Sequence, residues 1–353
     1  MTAIATEVAP TSTGTGTGVA SGGIAQREAG FIDLPAELTL AALGVITAIS
    51  EYLADEPADL ELQELLFEAI RYVRLAECFG DHSLCELDRH GRGRAVLAIR
   101  NLIPADFLAP RFASAHSTIL FSATLAPAHY RRDLLGLPPD TLWQDIESPF
   151  GAHQLQVRLE TSISTRLADR EASVQPIAAL MAAQYREHPG NYLAYFSSFA
   201  YLEAVHAGFL HAAPQVPTWH QSRGMSPQAR QAFIDRFVAD GEGIGFAVLG
   251  GAFAEGIDLP GRRLVGAFIA TLGLPPFDAW HEILRERLEQ RFGRGYDYAY
   301  LYPGLQKVAQ AAGRVIRTPE DQGVVILIDE RFARPDVVRL LPGWWFGGAP
   351  RDR

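Results

Sequence analysis

The sequence predicts an α/β fold: a mostly parallel sheet with flanking helices, preceded by a helical segment. Three observations carry this. Six short apolar runs recur between residues 153 and 329, and stretches with apolar residues at spacings of three and four separate them. Strand–helix alternation over that length is the signature of a parallel sheet covered by helices. From Phe31 to about Gly80 the spacing is helical. At 353 residues and 48% hydrophobic, the chain can bury the core of two compact domains or one large one.

Residues 1–29 are rich in Thr, Gly, Ala and Ser ("TSTGTGTGVASGG") and are expected to form a disordered tail. Their repeated glycines invite a phosphate-loop reading. That reading fails, because no Gly-Lys-Ser/Thr follows and no strand precedes. From Phe31 to about Gly80, "LTLAALGVITAISEYLADEP" and "LELQELLFEAIRYVRLAECF" predict two helices punctuated by Pro57 and Asp59. "GRAVLAIRN" (93–101) and "STILFSATL" (117–125) read as short buried strands. Further strands are predicted at 153–160, 191–198, 217–222, 245–251, 263–270 and 323–329. Helices are predicted at 173–187, 199–210, 227–239, 280–292 and 304–316. Ligands of such sheets bind at the carboxyl ends of the strands. The loops 197–199 and 250–258 and the turn after Ala270 fall there.

Composition narrows the function. No apolar run reaches the roughly 18 residues of a membrane span, and no basic-then-apolar leader opens the chain. This predicts a cytoplasmic protein with no membrane partner. The only cysteines are Cys78 and Cys85. They read as reduced thiols and cannot by themselves supply the four thiolates of an iron–sulfur cluster. The net charge of −10 argues against a generally basic nucleic-acid binder. It is unevenly spread: residues 281–353 hold 12 Lys+Arg and 10 Asp+Glu, a net of +2, which leaves −12 for the rest. Charge scatter alone could produce this. Arginine outnumbers lysine thirty to one, and the single lysine is Lys307.

Four constellations could carry chemistry. In "QKVAQAAGRVIRTPEDQG" (306–323), Gln310, Arg314 and Arg317 stand at i, i+4 and i+7, which puts them on one helix face beside Gly313. In "LGGAFAEGIDLPG" (249–261), Gly250 and Gly251 follow a strand, with Glu255, Gly256 and Asp258 just beyond. Acids and free amides there could meet a phosphate, or the segment could be a plain glycine-rich turn. "YFSSF" (195–199) ends a strand with Ser197 and Ser198, which can cap the next helix or bind phosphate at its N-terminus. "FSATL" (121–125) offers Ser122 and Thr124 as a hydroxyl switch or a simple cap. His153, His206, His211 and His220 have no metal-ligand spacing, and "PGWWF" (342–346) reads as a packing anchor.

Taken in order, these segments resemble the C-terminal motor half of superfamily-2 DNA helicases, most closely the DinG-like branch related to the XPD-type iron–sulfur helicases. The resemblance runs from about Arg94 to Trp345 and is strongest in "GGAFAEGIDLPGRRLVGAFIATLGLPPFD" and "QKVAQAAGRVIRTPEDQGVVILIDERF". It implies that residues 127–353 form a second RecA-like domain. It also implies that residues 30–126 are the remnant of a helical insertion plus the last strands of a first motor domain. In such helicases two RecA-like domains clamp ATP. Arg314 and Arg317, with Gln310 beside them, would reach the γ-phosphate across the cleft. Gly250, Gly251, Glu255, Gly256, Asp258 and Gly313 would line the nucleotide side, Ser197 and Ser198 the single-stranded DNA, and Ser122 and Thr124 would couple hydrolysis to movement.

The chain departs from the family in one half. No Gly-x4-Gly-Lys-Ser/Thr and no Asp-Glu-Ala-His occurs in it, and four cluster cysteines are missing. The expectation is therefore a helicase half, whether a shortened chain, a split gene or a decayed paralogue. It would bind ATP and Mg2+ only together with a first RecA-like domain, in the same parent chain or in trans, and would be inactive alone. The alternative is a non-catalytic module, derived from a helicase, that binds nucleic acid or protein. The retained arginine pair favours the motor.

Overall fold

The computed structural model describes residues 4–8, 27–55, 59–90, 94–253 and 257–347. The chain divides into two compact units: residues 1–118 with 132–139, and residues 119–131 with 140–353.

In the first unit, strands β1 (Ile4–Val8), β2 (Arg27–Ile32), β3 (Ser83–His90) and β4 (Arg94–Asn101) form an antiparallel sheet in the order β1-β4-β3-β2. Thus β1 and the start of β2 lie within the stretch expected to be a disordered tail, whose other residues are outside those described. Helices α1 (Ala36–Asp55), α2 (Leu60–Glu77) and α3 (Ala105–Ser114) complete the unit. Asp59 starts α2 as expected, its carboxylate accepting from the amides of Glu61 and Leu62. Tyr72 and Val73 of α2 meet Cys85 and Leu97 of the sheet, with Leu38, Ala42 and Ile46 of α1 packed against them. By length and composition α1 could cross a membrane, a possibility the run-length argument missed. One of its faces, however, is committed to this small core.

Helix α4 (Ala128–Leu135) spans the boundary between the units. The segment 117–125 is not a strand. Ile119 and Phe121 are 84% and 90% exposed. Its β-branched and aromatic run suits a pleated surface, but no described strand pairs with it.

The second unit is the predicted α/β layer structure. Its strands are β5 (Leu155–Glu160), β6 (Asn191–Phe196), β7 (Thr218–His220), β8 (Gly243–Val248), β9 (Gly266–Ala270) and β10 (Gly323–Ile328). They form one parallel sheet in the order β5-β10-β9-β6-β8-β7. The helices are α5 (Arg170–Glu187), α6 (Phe199–Ala212), α7 (Pro227–Asp235), α8 (Ala279–Phe292), α9 (Tyr302–Ala312) and α10 (Pro335–Val338). All six residues of β6 are buried, as a central strand covered on both faces requires. On one face Tyr192, Ala194 and Phe196 join Phe246, Phe268 and Ile326 against Ile177 and Met181 of α5 and Leu202 and Phe209 of α6. The alternate residues, Leu193 and Tyr195 among them, point the other way. Trp345 is buried as the predicted anchor, beside Trp344.

Candidate nucleotide and coupling site

Two bare backbones hold α9 in place. Gly273, in the turn after β9, has φ +73°, and a Cβ there would lie 2.5 Å from the Gly304 carbonyl oxygen. A Cβ on Gly304 would in turn lie 2.8 Å from the Leu272 oxygen. Only glycine permits so close a crossing. One turn on, the stem of Lys307 lies over Gly250, whose φ of +78° also calls for glycine. Helix α9 therefore passes the turn after β9 and then the loop after β8.

The two arginines converge at the far end of that path. Nη1 of Arg314 donates to the Ile257 carbonyl at 3.0 Å, and Nη2 of Arg317 donates to the same oxygen at 3.3 Å. Nε of Arg317 lies 3.5 Å from the Asp258 carboxylate, which is 77% exposed. The expected proximity to the loop 250–258 is present, but the shared helix face is not. Helix α9 ends at Ala312, and Gly313 caps it with an ordinary φ of −65°. Arg314 sits in the following turn and Arg317 in the loop beyond. Pro319 disfavours helix at Thr318, so α9 could not have continued past Arg317 in any case. No close approach demands glycine at 313: a Cβ there would have its nearest contact 3.3 Å away. Gln310, the one member on the helix, is half-buried.

Sequence reasoning missed the residues that fix this loop. Asp321 accepts from the amides of Arg317 (2.7 Å) and Thr318 (2.8 Å), from the Thr318 hydroxyl (2.8 Å) and from the Gly261 amide (3.2 Å). Burial alone would raise its carboxyl; these donors outweigh that and hold it below the usual range. Tyr195 is fully buried and donates to the Phe253 carbonyl at 2.8 Å, which ties the loop after β8 to β6. Burial pushes its phenol far up, and the nearby Arg314 guanidinium opposes the shift. Neither arginine of the pair binds the buried Asp329. Asp329 is held instead by Arg331 and Thr165.

Of the remaining residues, Glu255 and Gly256 lie outside those described. Gly251 sits beside Gln221, whose Oε1 accepts from the Val248 amide at 2.9 Å. Ser198 caps α6 by accepting from the Tyr201 amide at 3.3 Å, while the Ser197 Oγ is enclosed without a hydrogen-bond partner. Ser122 and Thr124 form a local turn, the Thr124 amide donating to the Ser122 hydroxyl at 3.2 Å. The Thr124 carbonyl accepts from Gln306 Nε2 of α9 at 3.2 Å and from Arg131 at 3.1 Å. Gln306 stands one turn before Gln310, and that spacing was the only sequence signal for it. One helix thus touches the Ser122–Thr124 turn, the loop after β8 and, through the turn that follows it, the arginine pair. Among the described residues no group of three or more His, Cys, Asp or Glu could hold a metal ion.

The second unit is thus a six-stranded parallel sheet flanked by helices, in which one helix and the turn after it bring two arginines to a glycine-bearing loop; this is the α/β layout of a helicase C-terminal domain. Residues 181–347 match the helicase C-terminal domain family. The chain is 26% identical to the XPD helicase subunit of the transcription and DNA repair factor IIH of Arabidopsis thaliana, over 67% of this chain and 33% of that protein. It is 28% identical to the ATP-dependent helicase DinG of Mycobacterium tuberculosis, over 70% of this chain and 37% of that one. A solved XPD helicase aligns over 89% of this chain and 63% of its own, with a TM-score of 0.57 at 17% identity, a likeness of fold. The chain spans about a third of the length of these curated relatives. It carries a helicase C-terminal domain related to the XPD and DinG ATP-dependent helicases.

Proposed function

We propose that this chain supplies the second motor domain of an ATP-dependent DNA helicase, working with a first RecA-like domain in its parent chain or in trans. The observation that supports this most is the convergence of Arg314 and Arg317 on one backbone oxygen beside the exposed Asp258. Guanidinium groups keep their charge and grip phosphate oxygens in a fork. Two of them fixed at one point fit the terminal phosphates of a nucleotide. ATP, bound with the first domain, supplies the phosphoryl group to be transferred. Arg314 and Arg317 would neutralise charge on it, which is the main protein contribution to this chemistry. Gln310 would stand beside them. The phosphate loop and the acids that hold Mg2+ belong, in this reading, to the first domain.

Single-stranded DNA is the proposed track, with Ser197 and Ser198 at its edge. The loop 250–258 would link nucleotide state to DNA grip, and the Gln306 contact to Thr124 would carry that state to Ser122 and Thr124. Exposed Ile119 and Phe121 offer the first domain an apolar flank. No iron–sulfur cluster is assigned to this chain, and its proposed setting is the cytoplasm.

The test is ATP turnover with single-stranded DNA present, measured for the chain alone and with a phosphate-loop-bearing RecA-like domain added. The chain alone is expected to show none, and the pair to turn over ATP. Turnover by the pure chain that survives Arg314→Lys would overturn the reading.

A further inference from the structure

An acid-free stretch borders the proposed DNA track. Between Glu203 and Asp235 the chain has no Asp or Glu, although it carries 41 of them in 353 residues. This stretch contains β7, the loop that follows it and most of α7. Strands β6, β8 and β7 are neighbours in the sheet, so the loops after their carboxyl ends lie side by side. The loop after β7 is pinned at Gln221, whose amide donates to the Phe246 carbonyl and whose side chain accepts from the Val248 amide, each at 2.8–2.9 Å. Two residues on, the Arg223 guanidinium carbon lies 4.8 Å from the centroid of the Phe199 ring. Phe199 is the first residue of α6, immediately after Ser198. Arg223 is exposed, and no carboxylate among the described residues lies within ion-pair distance of it.

We propose that Arg223, held over the Phe199 ring, binds the phosphodiester backbone of single-stranded DNA. This rests on the helicase reading given above. An arginine that pairs with no acid in an acidic chain keeps its full attraction for a polyanion. Its contact with a half-buried ring removes part of the side-chain entropy that binding would otherwise cost. Arg223 supplies the charge, and Phe199 is a positioning residue that acts through it. A contact of this kind strengthens binding whatever the base sequence, because phosphates carry no sequence information.

The experiment measures binding of the full chain to oligothymidylate and to a mixed-sequence strand by fluorescence anisotropy across a salt series. Arg223→Gln is expected to weaken both complexes alike, about threefold or more, and to lower the salt slope by about 0.7, the value of one single-strand phosphate contact. Phe199→Leu keeps the cation and loses the ring. It is expected to cost affinity while leaving the slope unchanged. Arg186→Gln removes the same charge at the end of α5, near the amino ends of the strands, and is expected to change neither quantity. Wild-type affinity and slope in Arg223→Gln would overturn this assignment alone. Failure of the wild-type chain to bind either strand at low salt would overturn the DNA reading and this contact together.

Discussion

Two arginine–carboxylate pairs in the second unit use the same chemistry for opposite ends. Arg331 grips Asp329 with both branches of its fork, at 2.6 and 2.8 Å. Asp329 also accepts from the Arg331 amide (2.8 Å) and the Thr165 amide (3.2 Å), with the Thr165 hydroxyl on the same carboxylate. The two side chains are 12% and 0% exposed. Arg317 makes one 3.5 Å contact with Asp258, and those side chains are 32% and 77% exposed. The first pair has its acceptors filled and its charges enclosed. The second pair is loose and faces water. A guanidinium has five donors, so what distinguishes a holding arginine from a binding one is how many of those donors the fold has already engaged.

The largest effect expected from this comparison lies at Arg314. Lysine there keeps the charge but loses the fork. In the reconstituted motor, Arg314→Lys is expected to lower ATP turnover by about 10³-fold, the order of one transition-state arginine in related phosphoryl transfer. The melting temperature is expected to change little, because Arg314 is half-buried and lysine keeps the charge at that position. Preserved turnover with a collapsed melting temperature would make Arg314 a holding residue like Arg331.

Asp329→Asn tests the other side. Removing one partner of a buried pair strands the other charge, at a cost of about 3 kcal/mol. Chemical denaturation is expected to show that loss, while turnover of the reconstituted pair is unchanged below the unfolding transition. A variant that unfolds like wild type but no longer turns over ATP would erase the distinction.

The sheet was legible because β6, β8, β9 and β10 are apolar runs that open on Asn or Gly, and every predicted strand of the second unit lies within about three residues of an observed one. The arginine site was legible in residue type but not in shape. Spacing placed Arg317 on a helix, whereas α9 ends at Ala312 and the Asp321 carboxylate holds the Arg317 and Thr318 amides in the loop beyond. The run at 117–122 misled for a different reason. Periodicity reports what a segment suits, and says nothing of whether a pairing strand exists. Strand β3 was missed although its "HGRG" boundary with β4 is a turn signal, because the helical spacing before it dominated the reading. Gln306, Asp321 and Tyr195 carry no motif. Their roles come from contacts made across the fold, such as the Tyr195 hydroxyl on the Phe253 carbonyl.

Asp321 falls between the two pairs and sharpens the comparison most finely. It is 6% exposed, yet its partners are the amides and hydroxyl of the arginine loop and not a guanidinium. It is therefore a holding residue in service of a binding one. Asp321→Asn exchanges a carboxylate acceptor for a weaker one, and a loss of about 1–2 kcal/mol in unfolding free energy is expected. Turnover in the reconstituted pair should fall by about tenfold, since small displacements of a positioned group are costly to phosphoryl transfer. Acid should expose the same residue. Its folded carboxyl lies below the ordinary value of 3.8. Its contribution is therefore complete above that value and is lost as pH falls through the folded one. Wild-type stability should decline below about pH 4, and the decline should be shallower in Asp321→Asn, which has no such charge to lose. Equal slopes in the two proteins, measured by thermal unfolding between neutral and acid pH, would show that Asp321 is not the anchor of the Arg317 loop.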